Sequence, residues 1–229
     1  MLINSKEAIF GDNMHLVSIN VSKPKDVEYN GEVIQTGILK KPIQGKLVVK
    51  KENIEGDEQA DLVNHGGIHK AVYAFAHDRY DYWRGAFNDN SLTSGAFGEN
   101  LTISSLDESD INIGDRFSIG ECILEVSQPR VPCYKLGIAL NNSKAPKLFT
   151  KSYCTGVYFR VIKEGVIQTG DEVKKISKHP NSVSVKTLFR ALFDKDYHDT
   201  YAIFSKALMI DELAPEWRNI LSERMQKHR

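Results

Sequence analysis

The chain has 229 residues, 41% hydrophobic and 26% charged, and its 30 basic residues are balanced by 30 acidic ones. That is enough chain for one large domain, or a main domain with an appendage, and the zero net charge argues against sequence-blind binding to a nucleic-acid polymer. Three cysteines without a CxxC pair speak against a disulfide framework or a structural zinc site, and no stretch reaches the roughly 18 apolar residues of a membrane helix.

The opening "MLINSKEAIFGDNMHL" lacks the apolar run of a signal peptide. The expectation is therefore a cytoplasmic protein with no membrane partner. From residue 14 onward, short apolar runs are punctuated by glycine. "HLVSINVS", "GKLVVKKENI", "AVYAFA", "NLTISSL", "RFSIGECILEVSQ", "GVYFRVIKEG" and "DEVKKIS" each read as a strand. In the first, Leu16, Ser18 and Asn20 are expected on one face and Val17, Ile19 and Val21 on the other. "SIGEC" reads as a hairpin turn, and "EGVIQTGDEVK" has the same turn chemistry. Helices are expected at "HDRYDYWRGAF", where Tyr80, Trp83 and Phe87 are spaced as core residues, and at "CYKLGIALN", beginning just after Cys133. Many short strands with regular turns predict a mainly β protein, a barrel or sandwich, over residues 14–178.

After "SKHPNS" glycine disappears. Val185, Leu188, Phe189 and Leu192 form one helical stripe, and Tyr201, Phe204 and Leu208 a second. Trp217, Ile220, Leu221 and Met225 form a third, with Pro215 in the first turn. Residues 181–229 are thus expected to form a small three-helix domain, with Pro180 in the linker. Its apolar residues could cover the barrel or a second copy of the chain, so a homodimer is one expectation.

The chemistry concentrates in "SQPRVPCYKL". Pro129 and Pro132 stiffen the loop. A helix start together with Arg130 and Lys135 would favour a thiolate at Cys133, the form that binds soft metals or attacks sulfur. A buried structural cysteine is the competing explanation, and it is preferred for Cys122 and Cys154. In "ADLVNHGGIHKAVYAF", His65 and His69 are four apart but no zincin pattern is present. Gly66 and Gly67 instead allow a close backbone approach or an anion nest, with Lys70 as a further donor. Asp57 and Asp61 would orient the histidine rings, bind a cation or simply be solvated. Asn100, in "GAFGENLTI", has an amide suited to a heterocycle edge. Lys40 and Lys41 in "ILKKPIQG", Arg116 in "GDRFSIG", and Arg160 within the apolar run "GVYFRVI" are the remaining basic candidates.

Taken in order, "ILKKPIQG", "EGDEQADLVNHGGIHKAVYAF", "SGAFGENLTI", "IGDRFSIGECILEVSQPRVPCYKL" and "TGVYFRVIKEGVIQTGD" resemble a MOSC domain, the C-terminal-type domain of molybdenum cofactor sulfurases. The helical tail is similar to that of the YiiM-like branch, and the resemblance covers the chain from about residue 14, leaving residues 1–13 as an N-terminal extension. It implies a MOSC-type β-barrel with a few short helices. It also implies a molybdenum cofactor whose metal is bound by Cys133, and a pocket formed by His65, His69, Lys70, Asn100 and Arg130, with Lys41 and Arg160 further out. The activity implied is reduction of N-hydroxylated bases such as 6-hydroxylaminopurine, with His65 or His69 supplying a proton. No flavin or dinucleotide fingerprint is present, so an external reductase would donate the electrons. The alternative is a sulfur carrier or transferase acting through a Cys133 persulfide.

Overall fold

The computed structural model describes residues 14–227, so the expected N-terminal extension lies outside the described residues. Its strands are β1 (Met14–Val21), β2 (Lys25–Tyr29), β3 (Glu32–Thr36), β4 (Lys41–Ile43), β5 (Lys46–Val49), β6 (Val72–Ala76), β7 (Leu101–Ile103), β8 (Arg116–Ile119), β9 (Cys122–Pro129), β10 (Val157–Lys163), β11 (Gly165–Gln168) and β12 (Glu172–Ser177). The helices are α1 (Leu62–His65), α2 (Tyr80–Phe87), α3 (Tyr134–Ala139), α4 (Ala145–Ser152), α5 (Val185–Phe193), α6 (Thr200–Leu208) and α7 (Pro215–Lys227).

Seven strands close into a barrel in the order β12-β8-β9-β10-β6-β7-β1, with β1 pairing back onto β12 and β4 added beside β1. The β6–β7 pair is parallel and the other barrel pairs are antiparallel. The β8–β9 hairpin turns at Gly120-Glu121, with Gly120 at φ +52°, as the "SIGEC" reading expected. At Gly156 a side chain is excluded twice over. Its φ is +84°, and an added Cβ would lie 2.4 Å from the Ala74 carbonyl oxygen.

Strand β6 explains why the molecule has two apolar clusters. All five of its residues are buried. Val72, Ala74 and Ala76 point into the main cluster, whereas Tyr73 and Phe75 join an aromatic one with Tyr80, Trp83, Phe97 and Phe149. Period-two alternation thus feeds a core on each face of one strand. Helix α2 buries Tyr80 and Trp83 in the second cluster, matching the core spacing read from the sequence. The stripes of α5 and α7 bury Val185, Leu188, Phe189, Trp217 and Leu221 in the same cluster as the barrel interior. Tyr201, expected on the α6 stripe, is half exposed at 51%. Among the described residues no helix is long and apolar enough to cross a membrane.

Two expectations are corrected. A bulge between Leu16 and Ser18 breaks the alternation of β1, so Leu16 joins Ile19 and Val21 in the main cluster. Ser18 Oγ donates to Asn20 Oδ1, and Asn20 Nδ2 donates to Thr102 Oγ1. The turn at 168–171 does not make a hairpin, because β11 pairs with β5 and β12 pairs with β8.

Candidate functional site

The β9–α3 connection carries Cys133. Pro129 ends the strand, and the next residue is tied to the start of β10 on both of its backbone groups. Thr155 Oγ1 donates to the Arg130 carbonyl at 2.7 Å, and the Arg130 N–H reaches Gly156 O at 3.3 Å. Cys133 then adopts extended backbone and Tyr134 opens the helix, as expected. The thiol is half-buried in an open cleft of about 80 Å³.

Burial opposes ionisation of Cys133. A hydrogen bond with the His65 ring, the Arg130 charge and the Lys135 backbone N–H outweigh it, and the thiol is pulled down to about 7. His65 is itself oriented from behind, its Nδ1 lying 3.3 Å from Asp61 Oδ2. The other two thiols are shifted the opposite way. Burial pushes Cys122 up to about 11 and raises Cys154 as well. Iodoacetamide labelling followed by peptide mass spectrometry is therefore expected to modify Cys133 alone in the folded protein. Labelling should rise as the pH is raised through about 7, the thiol's own midpoint. In His65→Ala the midpoint should move up toward the ordinary thiol value of about 8.5.

Arg130 is the second defining group. It is 4% exposed, and its guanidinium lies over the rings of Tyr73 and Phe149 at 5.3 and 5.4 Å. Tyr158 hydrogen-bonds it, but Nη1 has no hydrogen-bond partner. A buried cation with an unused donor, lining the cleft beside a thiol, is poised for an anionic or strongly polar ligand.

The cleft wall is braced by a buried network. Asp57 accepts from the Ser22 N–H at 2.9 Å, from Asn100 Nδ2 at 2.8 Å, and from Lys40 in a short ion pair. Asn100 Oδ1 in turn accepts the Tyr73 N–H. Burial lowers the Lys40 pKa while Asp57 pulls it back up. Removing one partner of such a pair leaves a buried charge, so Asp57→Ala is expected to cost about 3–5 kcal/mol in denaturant titrations.

Not every expected residue reaches this place. His65, Lys70, Asn100 and Arg130 line the cleft with Cys133. The Gly66-Gly67 turn separates His65 from His69: Gly67 takes φ +87° and leads into a short 3₁₀ turn over Ile68–Lys70, whose last residue returns to the cleft lining. The His69 ring faces the other way, 3.0 Å from Arg160 Nη2, and burial and Arg160 both lower its pKa. Arg160 belongs to that separate cluster, held by Glu125 and by the Glu212 carbonyl. Lys41 is exposed on β4 and borders a neighbouring recess, while the adjacent Lys40 lines the cleft. Tyr158, also in the lining, was missed. It shares the outer face of β10 with Arg160, one strand repeat closer to the cleft. Glu216 was missed too. It comes from the first turn of α7 and pairs with Lys70 at 2.5 Å.

Fold and cleft together describe a closed mixed barrel that presents one activated thiol beside a buried guanidinium. The chain belongs to the MOSC domain family, whose model matches residues 61–174. It is 38% identical over 205 residues to the uncharacterized protein YflK of Bacillus subtilis strain 168, covering 89% of this chain and 90% of that one. The crystal structure of YiiM from Geobacillus stearothermophilus superposes with a TM-score of 0.77 at 30% identity, covering 93% of this chain and 99% of that one. A protein named "Reductase" from Gibberella moniliformis is 30% identical over 180 residues, spanning 77% of this chain but 32% of its own length.

Proposed function

We propose that this protein is a molybdenum-cofactor-dependent reductase of N-hydroxylated compounds, with Cys133 as the protein's ligand to the metal. The observation that carries the reading is the pairing of an ionisable thiol with the unpartnered Nη1 of buried Arg130 in one cleft. The donor set fits such a group. Among the described residues no cluster of three or more His, Cys, Asp or Glu side chains could hold a metal ion. A metal at Cys133 would therefore have to bring most of its ligands with it, as a pterin dithiolene does, and a thiolate is the soft donor that completes them. Membership of the MOSC family and the relative named "Reductase" support the same reading. Nothing in these relationships favours the sulfur-carrier alternative.

When bound, the cofactor supplies the two-electron chemistry that, with two protons, converts R–NHOH to R–NH₂ and water. The protein's residues do the rest. Arg130 and Lys70 offset the ligand's negative charge, and Tyr158 holds the guanidinium in place. His65, oriented by Asp61 beside Cys133, holds a proton within reach of the reacting end of the cleft. His69 is turned away and has no such role. The electrons come from an external reductase.

The test is anaerobic reconstitution with molybdenum cofactor, followed by assay with 6-hydroxylaminopurine and a chemical reductant. Formation of the amine by the reconstituted protein alone is expected. If fully loaded protein leaves the substrate unchanged, the reductase assignment fails.

A further inference from the structure

The C-terminal segment reaches the cleft through a defined set of contacts. The Ala214 N–H donates to Ser127 O at 3.0 Å, and Ser127 Oγ donates to the His69 carbonyl at 2.6 Å. Leu213, Ala214 and Trp217 are buried, so the start of α7 is fixed against β9 and the turn that carries Lys70. Glu216, set between these anchors, points its carboxylate at Lys70 Nζ, 2.5 Å away. The two partners are unequal. The Lys70 side chain is 12% exposed and lines the cleft, whereas Glu216 is 53% exposed and lies outside the lining.

An acid placed this way supplies negative charge to a cleft otherwise made for an anion. Ion pairs with one solvated partner are weak, about 0–1 kcal/mol, so this carboxylate can be released without disturbing the fold. We propose that Glu216 is a positioning residue that sets the cleft's selectivity for anionic ligands. It holds Lys70 as a built-in counter-ion, and a ligand's negative group must replace it to gain Lys70. The C-terminal helices thereby become part of the binding site. This inference rests on the reading that the cleft takes an anionic ligand, and it does not depend on the metal or on turnover.

Inorganic pyrophosphate is a suitable probe, titrated calorimetrically into the full-length protein at neutral pH and low salt. Glu216→Gln is expected to bind pyrophosphate up to about 5-fold more tightly than wild type, the gain fading as salt rises. Lys70→Gln should bind more weakly than wild type. The double variant should match Lys70→Gln, because Glu216 acts through that lysine. A purely structural Glu216 would give a lower melting temperature with affinity unchanged or reduced, and that result would overturn the proposal. So would a gain that persists without Lys70, or no pyrophosphate binding by any variant. If the gain appears while molybdenum fails to load, the cofactor reading falls and the selectivity role stands.

Discussion

Cys133→Ser is expected to lower turnover of an N-hydroxylated substrate by more than about 100-fold, the upper end of what losing even a supporting residue of a metal site costs. The change removes one property and keeps the rest. Serine is nearly isosteric, and Cys133 is half-buried at a helix start where serine is a favoured cap. The fold should therefore survive, with a melting temperature close to wild type. What disappears is a soft donor that ionises near neutral pH. A hydroxyl beside the same His65 and Arg130 stays protonated and offers only a hard oxygen. Full activity in a folded Cys133→Ser protein would remove the thiol from the chemistry. His65→Ala, which leaves the sulfur in place, should retain more activity than Cys133→Ser.

Arg130→Met is the second large effect, and here binding and stability are expected to part. The guanidinium is 4% exposed with Nη1 unpartnered, so the folded protein carries a desolvated charge that it does not fully compensate. Methionine fills a similar volume and packs well against Tyr73 and Phe149. Stability should hold or rise in a denaturant titration. A charge-assisted hydrogen bond to a ligand is worth about 1.5–3 kcal/mol, so pyrophosphate affinity should fall about 10- to 100-fold. A destabilised variant with unchanged affinity would make Arg130 a structural residue instead.

The part of this site that could be read from the sequence is the part whose chemistry is local. Two prolines, a basic residue and a helix start are neighbours of Cys133 along the chain, and they remain its neighbours in space. What the sequence left open was decided by backbone geometry. His65 and His69 look equivalent as letters, but Gly67 at φ +87° turns one toward the thiol and the other toward Arg160. Of the lysine pair at 40 and 41, burial beside Asp57 selects the first. Along β10 the apolar run singles out Arg160, although Tyr158, two residues earlier on the same face, is the one in the cleft.

Strand count and turn spacing pointed to a barrel or a sandwich, and the MOSC resemblance selected the barrel. The β2–β3 hairpin did not, because its strands are charged and mostly exposed and so show little hydrophobic alternation. Its own signal was Asn30-Gly31, both at positive φ, a favoured two-residue turn. Helix α4 was missed for a related reason: its eight residues fully bury only Ala145 and Phe149. The tie between α7 and Lys70 lies beyond any local pattern, since 146 residues separate Glu216 from its partner.

The central claim is that Cys133 grips molybdenum within a cationic cleft. It is tested most directly by the metal content of wild type and Cys133→Ser, each purified from a host that makes the cofactor and compared per folded chain. The account predicts molybdenum close to one atom per chain in wild type and near background in the variant. Equal molybdenum in the two proteins, or none in wild type from such a host, would contradict it.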